Sequence, residues 1–224
     1  MKVTWLGQAS LLIETKENTV LIDPYFSDCV GKIDPTKTRK VPAADWLWEI
    51  RPDVLVFTHD HIDHYDPETA PHFLQHEGTM TVLSPTSCWN KARQFGGSHN
   101  YVQFDALTEW TEGDCRFTAV KAVHSDPYAI GVLIEAEGKV LYVTGDTLYS
   151  RAVFQQLPEK VDCVFLPING VGNNMNMTDA ARFAESCKAE AAVPVHWGMM
   201  DTLDPAAFPF AAKRIPEIYK TFEI

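Results

Sequence analysis

The chain has 224 residues, 46% of them hydrophobic and 22% charged, enough to bury one generous core or two small fused ones. Its formal charge of −11 excludes a broad nucleic-acid surface, which needs a basic stripe. Five cysteines (Cys29, Cys88, Cys115, Cys163, Cys187), scattered and without a Cys-x-x-Cys pair, argue against a disulfide framework and a thiolate zinc knuckle.

Glu14 and Lys16 interrupt the N-terminus before any long apolar run, so neither a signal peptide nor a membrane span is expected. A reducing cytoplasm is the default compartment. Strand-like pieces open the chain at Lys2–Leu6, Ser10–Glu14 and Thr19–Asp23, with turn signals at Gly7-Gln8 and Glu17-Asn18. The polar stretch Tyr25 to Pro42 carries the basic run Lys37-Thr38-Arg39-Lys40 and reads as a long loop, either a lid or a solvated excursion. A short helix is expected over Ala43–Ile50, then a buried strand over Asp53–Phe57. Further on, Asp66 is placed to cap a helix with Pro67 in its first turn. A strand over Thr79–Leu83 leads to a helix through Phe95. Phe117–Val123, Ala129–Ala136 and Lys139–Thr144 predict three strands, the last two joined by a Glu137-Gly138 hairpin.

Beyond Thr144 the pattern alternates. A helix over Arg151–Leu157 precedes strand Val161–Pro167, helix Thr178–Lys188 with a Thr cap, strand Ala191–Val195 and a last helix from Pro205 to Arg214. Both halves start with strands and close with helices. That pattern fits an α/β (α+β) four-layer sandwich, with two mixed sheets face to face and helices outside. No linker separates the halves, so residues 1–224 read as one domain.

The segment Thr58-His59-Asp60-His61-Ile62-Asp63-His64 carries the chemistry. It puts three imidazoles and a carboxylate directly after a buried strand, where a sheet edge offers ligands. His124 and His196 each end a β-run as well, and Asp146 follows Leu141–Gly145 in the same manner. Imidazole with carboxylate suits zinc, manganese or iron(II) better than calcium or magnesium. We place His59, His61 and His124 on one ion, and Asp63, His64 and His196 on a second, with Asp146 bridging. Three or four ligands per ion leave a position for water, whose pKa falls from 15.7 to about 7 in the best zinc cases. A strand-end histidine taken singly is more often a core or capping residue. The whole set together makes coincidence a poor account.

The chain resembles the metallo-β-lactamase superfamily, whose His-x-His-x-Asp-His signature is matched from His59 to His64. His124, Asp146 and His196 match the downstream family positions in order. Val3–Gly7, Thr144–Ser150 and Asn173–Thr178 resemble the branch containing the L-ascorbate-6-phosphate lactonase and related metal-dependent hydrolases. The resemblance covers nearly the whole chain. It implies a duplicated αβ/βα fold, a dinuclear site and hydrolysis by a metal-held hydroxide, with Asp63 as ligand and proton shuttle to the leaving group. It also implies that Asp23 orients the His loop from behind the ligands. Two departures matter. β-Lactamases of the superfamily usually lack a bridging Asp at the Asp146 position, so antibiotic hydrolysis is not expected. The phosphorylated-ascorbate lactonases are longer and tend to have His where this chain has Leu148.

Asn169, Asn173, Asn174 and Asn176 either donate to a substrate oxyanion or serve a turn that needs left-handed backbone. Tyr149 and Trp197 adjoin ligand positions and either line the pocket or pack in the core. His99 reads as a surface residue, and His72 and His76, at i and i+4, as an exposed helix face. The leading expectation is a cytoplasmic, dinuclear zinc or manganese hydrolase (iron being the third choice) acting on a small ester or lactone, such as a sugar-acid lactone. The alternatives are a phosphodiesterase or phosphoester hydrolase of the same fold, a di-iron redox or sensor protein, and a catalytically silent binding protein. The expected partner is a small-molecule substrate, with no nucleic acid and no membrane; a homo-oligomer is left open.

Overall fold

Side chains alternate along β1 (Lys2–Gly7), β2 (Ser10–Glu14), β3 (Thr19–Ile22) and β4 (Val54–Val56). Val3, Ile13, Val20 and Val54 face one way, Leu12, Leu21 and Leu55 the other. A sheet apolar on both faces must be covered on both. The computed structural model, which describes residues 1–224, shows how. One sheet runs β13 (Thr221–Glu223)–β1–β2–β3–β4–β5 (Thr81–Ser84)–β6 (Asn100–Gln103). The other runs β12 (Ala189–Val195)–β11 (Val161–Pro167)–β10 (Lys139–Val143)–β9 (Ile130–Ala136)–β8 (Cys115–Lys121)–β7 (Glu109–Glu112).

The inner faces of both sheets meet in a core of 25 buried residues, among them Val3, Val54, Phe117, Ile134 and Phe165. Helices α2 (Thr69–Leu74) and α3 (Thr86–Ala92) cover the outer face of the first sheet through Ala70, Phe73, Cys88 and Ala92. Helices α4 (Arg151–Phe154) and α5 (Met177–Ser186) cover the second through Val153, Ala180 and Phe183. The result is the expected four-layer sandwich.

Pairing directions place the site. β1 and β3 both run antiparallel to β2, and β4 and β5 continue parallel to β3. In the second sheet β8 and β10 run antiparallel to β9, and β11 and β12 continue parallel to β10. The C-terminal ends of β1, β3, β4, β8, β10 and β12 therefore lead into the same crevice, the position where open α/β sheets bind ligands.

Several elements differ from expectation. The 25–42 stretch contains the short helix α1 (Cys29–Ile33) and a 3-10 turn at Pro35–Lys37, and Ala43–Ile50 is reduced to a 3-10 turn over Asp45–Glu49. The cap of α5 is Asn176, whose side chain accepts from Asp179 N, rather than Thr178. The expected last helix is only a turn, Pro205–Ala207. Pro209 forces the preceding Phe208 to ψ 116° and has no N–H to continue a ladder. β6, β7 and β13 were not legible because they are short edge strands, rich in polar residues and with no fully buried side chain. No helix is long and apolar enough to cross a membrane.

One tie in the second sheet yields a pH-dependent expectation. Asp162 accepts from Val140 N at 2.8 Å and pairs with Lys139 Nζ at 3.1 Å. Burial opposes its charge, but these partners hold its carboxyl below the usual range. A depressed folded pKa gives stability that is present above the unfolded value of about 3.9 and is lost as pH falls through the folded one. Asp162→Asn should thus cost about 1 kcal/mol at pH 7 and progressively less below about pH 4, as read by urea melts across that range. A pH-independent difference would reject the charge-based account.

Candidate metal centre

The turn after β4 brings the His cluster together because His64 N and Tyr65 N both donate to the His61 carbonyl, at 3.0 and 2.8 Å. Two observations join this turn to the second sheet. Ile130 N donates to Thr58 O at 3.0 Å. Gly145, at φ +59°, lies so close that a Cβ there would sit 2.7 Å from Ile130 O and 2.9 Å from Thr58 Cβ. Only glycine permits both the left-handed backbone and this approach. Gly145→Ala should destabilise the fold by on the order of 3 kcal/mol. An unchanged denaturant midpoint would show that the two strand ends relax freely.

Seven residues converge there. Asp146 Oδ1 lies 3.3 Å from His64 Nε2, and its Oδ2 lies 3.4 Å from His196 Nε2 and 3.9 Å from both His59 Nε2 and His124 Nε2. Asp63 Oδ2 is 3.2 Å from His196 Nε2 and 3.9 Å from His64 Nε2. The geometry yields two main groups, His59–His61–His124–Asp146 and Asp63–His64–His196, with Asp146 between them. A third grouping, Asp23–His59–His64, shares residues with both.

Hydrogen bonds decide which nitrogen of each ring faces inward. Asp23 Oδ2 takes the Thr58 hydroxyl proton at 2.5 Å and accepts from His64 Nδ1 at 2.8 Å. With its hydrogen so used, the Thr58 hydroxyl can only accept from His59 Nδ1, 3.1 Å away. His124 Nδ1 faces the Asn173 carbonyl at 3.3 Å and therefore donates. In the neutral form, each of these rings has Nε2 as the nitrogen left to carry the lone pair, and in His59, His64 and His124 that nitrogen lies 3.3–3.9 Å from Asp146. His61 Nδ1 and His124 Nε2 stand 3.1 Å apart, while His61 Nε2 meets the Ser125 hydroxyl at 3.1 Å.

The donor set fits transition-metal ions. His59 Nε2, His64 Nε2 and Asp146 Oδ1 are buried without a hydrogen-bond partner, an arrangement that is costly unless something fills the gap. Ligands about 2.0–2.1 Å from a tetrahedral zinc lie roughly 3.3 Å from one another, which matches the closer separations here. Charge points the same way. Burial opposes ionisation of Asp63 and Asp146, yet His64 and His196 hold both carboxyls far below the usual range. Burial likewise opposes charge on His64 and His196, yet the carboxylates raise both, His196 to about 10. Burial, then the charge on His64, pushes His59 down, and burial lowers His124. Around His64 and His196 the carboxylates therefore favour positive charge, which bound cations would supply.

The family profile described as the beta-lactamase superfamily domain matches residues 18–197. The chain belongs to the metallo-β-lactamase superfamily. Within the superfamily it is 30% identical over 209 residues to a UPF0173 protein of Pyrococcus furiosus, covering 93% of this chain and 89% of that one. It is also 30% identical over 226 residues to a UPF0173 metal-dependent hydrolase of a Geobacillus species, covering 93% and 91%. The fold is shared with Igni18, a metallo hydrolase of Ignicoccus hospitalis, at TM-score 0.78 and 21% identity over 100% and 98% of the chains.

The His signature follows the C-terminal end of β4, and its surroundings sort the remaining candidates. Asp23, at φ +43°, accepts from Thr58 N at 2.8 Å as well as from the Thr58 hydroxyl and His64. Asn174 Nδ2 donates to Asp146 Oδ2 at 2.8 Å, and Asn169 Nδ2 lies 2.9 Å from His196 Nδ1. Asn173 supplies left-handed backbone at φ +65°, and Asn176 caps α5. Tyr149 packs on Phe154 and Phe183, and Trp197 stacks on Trp5 at 4.8 Å, so both belong to packing rather than the pocket. His72 bonds Trp48 O and is half-buried against that indole rather than exposed, while His76 and His99 line a separate groove.

Two residues escaped the sequence reading. Gln8, at φ +49°, donates from Nε2 to Asp63 Oδ2 at 2.9 Å. Asp126 accepts from Asp60 N at 3.2 Å and Ser87 Oγ at 2.5 Å, tying the His loop to α3. A polar residue in the tight turn between two apolar strands was the only available signal for Gln8.

Proposed function

We propose that this chain is a metal-dependent hydrolase that opens a small carboxylic ester or lactone, holding two divalent transition ions, zinc or manganese before iron. The observation that carries the reading is the convergence of unpartnered, buried imidazole and carboxylate atoms at one side of a cavity of about 710 Å³. His59, His61 and His124 would hold one ion, Asp63, His64 and His196 the other, with Asp146 shared. Ions bound there supply an acidified water and Lewis-acid polarisation of the scissile carbonyl.

The chain's own side chains do the rest. Asp63 faces the cavity with 18% of its side chain exposed and is the carboxylate placed to take a proton and pass it to the leaving oxygen. Gln8 holds Asp63 by its Oδ2, fixing the direction of that transfer. Val30, Ile62, Val171, Met200 and Leu203 form an apolar wall, and Lys37 is the one basic side chain on it besides the imidazoles. Asp60 and Asp201 line the same cavity. Such a wall leaves the extra negative charge of a phosphoester poorly matched, which favours the ester or lactone over phosphodiester hydrolysis. Sugar-acid lactones are among the substrates to test first.

Metal analysis of purified protein, followed by a screen of lactones against bis-p-nitrophenyl phosphate, tests the proposal. Two equivalents of transition metal and lactone turnover are expected. Fewer than one equivalent, or turnover confined to the phosphodiester, would reject it. His61→Ala should abolish ester turnover, and survival of that turnover would remove His61 from the centre.

A further inference from the structure

His196 is held differently from His59, His64 and His124. His59, His64 and His124 each give Nδ1–H to an oxygen, of Thr58, Asp23 and Asn173 respectively. The Nδ1 of His196 instead faces the side-chain amide of Asn169, with the amide nitrogen 2.9 Å away. Its Nε2 is the nitrogen that faces the carboxylates, 3.2 Å from Asp63 Oδ2 and 3.4 Å from Asp146 Oδ2.

A neutral imidazole has one N–H and one lone pair. With the amide nitrogen against Nδ1, that ring nitrogen must accept, the proton resides on Nε2, and no lone pair remains there for a cation. Turning the amide by 180° puts Oδ1 against Nδ1, and the ring then donates from Nδ1 and keeps its lone pair on Nε2. The oxygen and nitrogen of an asparagine amide occupy equivalent positions, so the bonding partner decides between the orientations. Asn169 Oδ1 is buried and unpaired when the nitrogen faces the ring. Gln8 cannot make the choice, since its Nε2 stands 3.1 Å from both ring nitrogens. Nor can the backbone, which is already clamped at φ +58° with His196 N donating to Gln8 O at 2.9 Å.

We propose that Asn169 is the positioning residue that sets the tautomer of His196, accepting Nδ1–H through Oδ1 so that Nε2 is free to bind a divalent ion. The inference rests on the metal-dependent reading of the site. It places the Asn-rich turn in a role on the second sheet equivalent to that of Asp23 on the first, with Asn174 holding Asp146 at 2.8 Å as Asn169 holds His196.

The test uses the full chain, Asn169→Ala and Asn169→Asp, each titrated with zinc against a competing chelator, with thermal melts as a folding control. Long-range proton–nitrogen correlation spectra of the zinc-loaded wild type report the protonated ring nitrogen. Wild type should take two equivalents of zinc and show His196 protonated at Nδ1. Asn169→Ala should lose roughly 10–100-fold in affinity for one equivalent only, and Asn169→Asp, which keeps an acceptor oxygen, should recover most of it. Equal zinc affinity in Asn169→Ala and wild type would overturn the inference and leave the hydrolase reading intact. So would an aspartate variant as weak as the alanine one, or a His196 protonated at Nε2. A wild type that binds no zinc would overturn both.

Discussion

Asp146→Asn is expected to reduce ester hydrolysis by on the order of 10³-fold or more and to leave the protein unable to retain its full metal complement through dialysis. The magnitude follows from position. Asp146 stands between both imidazole groups, within 3.3–3.9 Å of the Nε2 atoms of His59, His64, His124 and His196. Asparagine has nearly the same shape but removes the charge that faces them, and a shared carboxylate contributes several kcal/mol to holding and charging an ion pair. At 1.36 kcal/mol per factor of ten, the loss of about 4 kcal/mol gives the stated fall. The fold should persist, because Asn174 Nδ2 can still donate to the remaining side-chain carbonyl oxygen. Metal content and turnover measured on the same preparation check the claim. Full metal retention with normal turnover would remove Asp146 from the centre.

Asp23→Ala should weaken both fold and metal binding, although Asp23 does not belong to either main group. Its carboxylate accepts three hydrogen bonds, from Thr58 N, the Thr58 hydroxyl and His64 Nδ1, and it is 1% exposed. Truncation leaves buried donors unpaired, at about 1–3 kcal/mol each before relaxation, so a loss of roughly 3 kcal/mol in stability is expected. The rings of His64 and His59 lose their orientation together, since Thr58 bridges Asp23 to His59 Nδ1. Metal affinity should fall about 10–100-fold. Urea melts of apo protein and zinc titrations separate the two effects. A variant that melts lower but binds zinc as wild type does would confine Asp23 to a structural role.

Strand assignments from β1 to β4 and from β8 to β12 were legible because their inward and outward apolar residues alternate or run continuously, patterns imposed by burial on both faces. Elements whose existence depends on a partner were not. β13 forms only because β1 offers an open edge, pairing Lys2 with Glu223. Conversely, the apolar run after Pro205 reads as helical until Pro209 is weighed.

For the site, the residue types and their strand-end placement were contained in the sequence by itself. His59, His61, Asp63, His64, His124, Asp146 and His196 are ligand-type side chains in or just after strand ends, and local patterning suffices to single them out. Their supports were decided by tertiary structure alone. Gln8 reaches Asp63 and His196 across 55 and 188 residues of chain, and Asp126 meets Asp60 across 66. Glutamine in a turn, asparagine in a loop and aspartate beside a proline look the same to local physics whether they face water or a buried imidazole. Only the parallel run of strands from two sheets into one crevice brings these groups together, and hydrogen-bond geometry there, rather than residue type, assigns the proton on each ring.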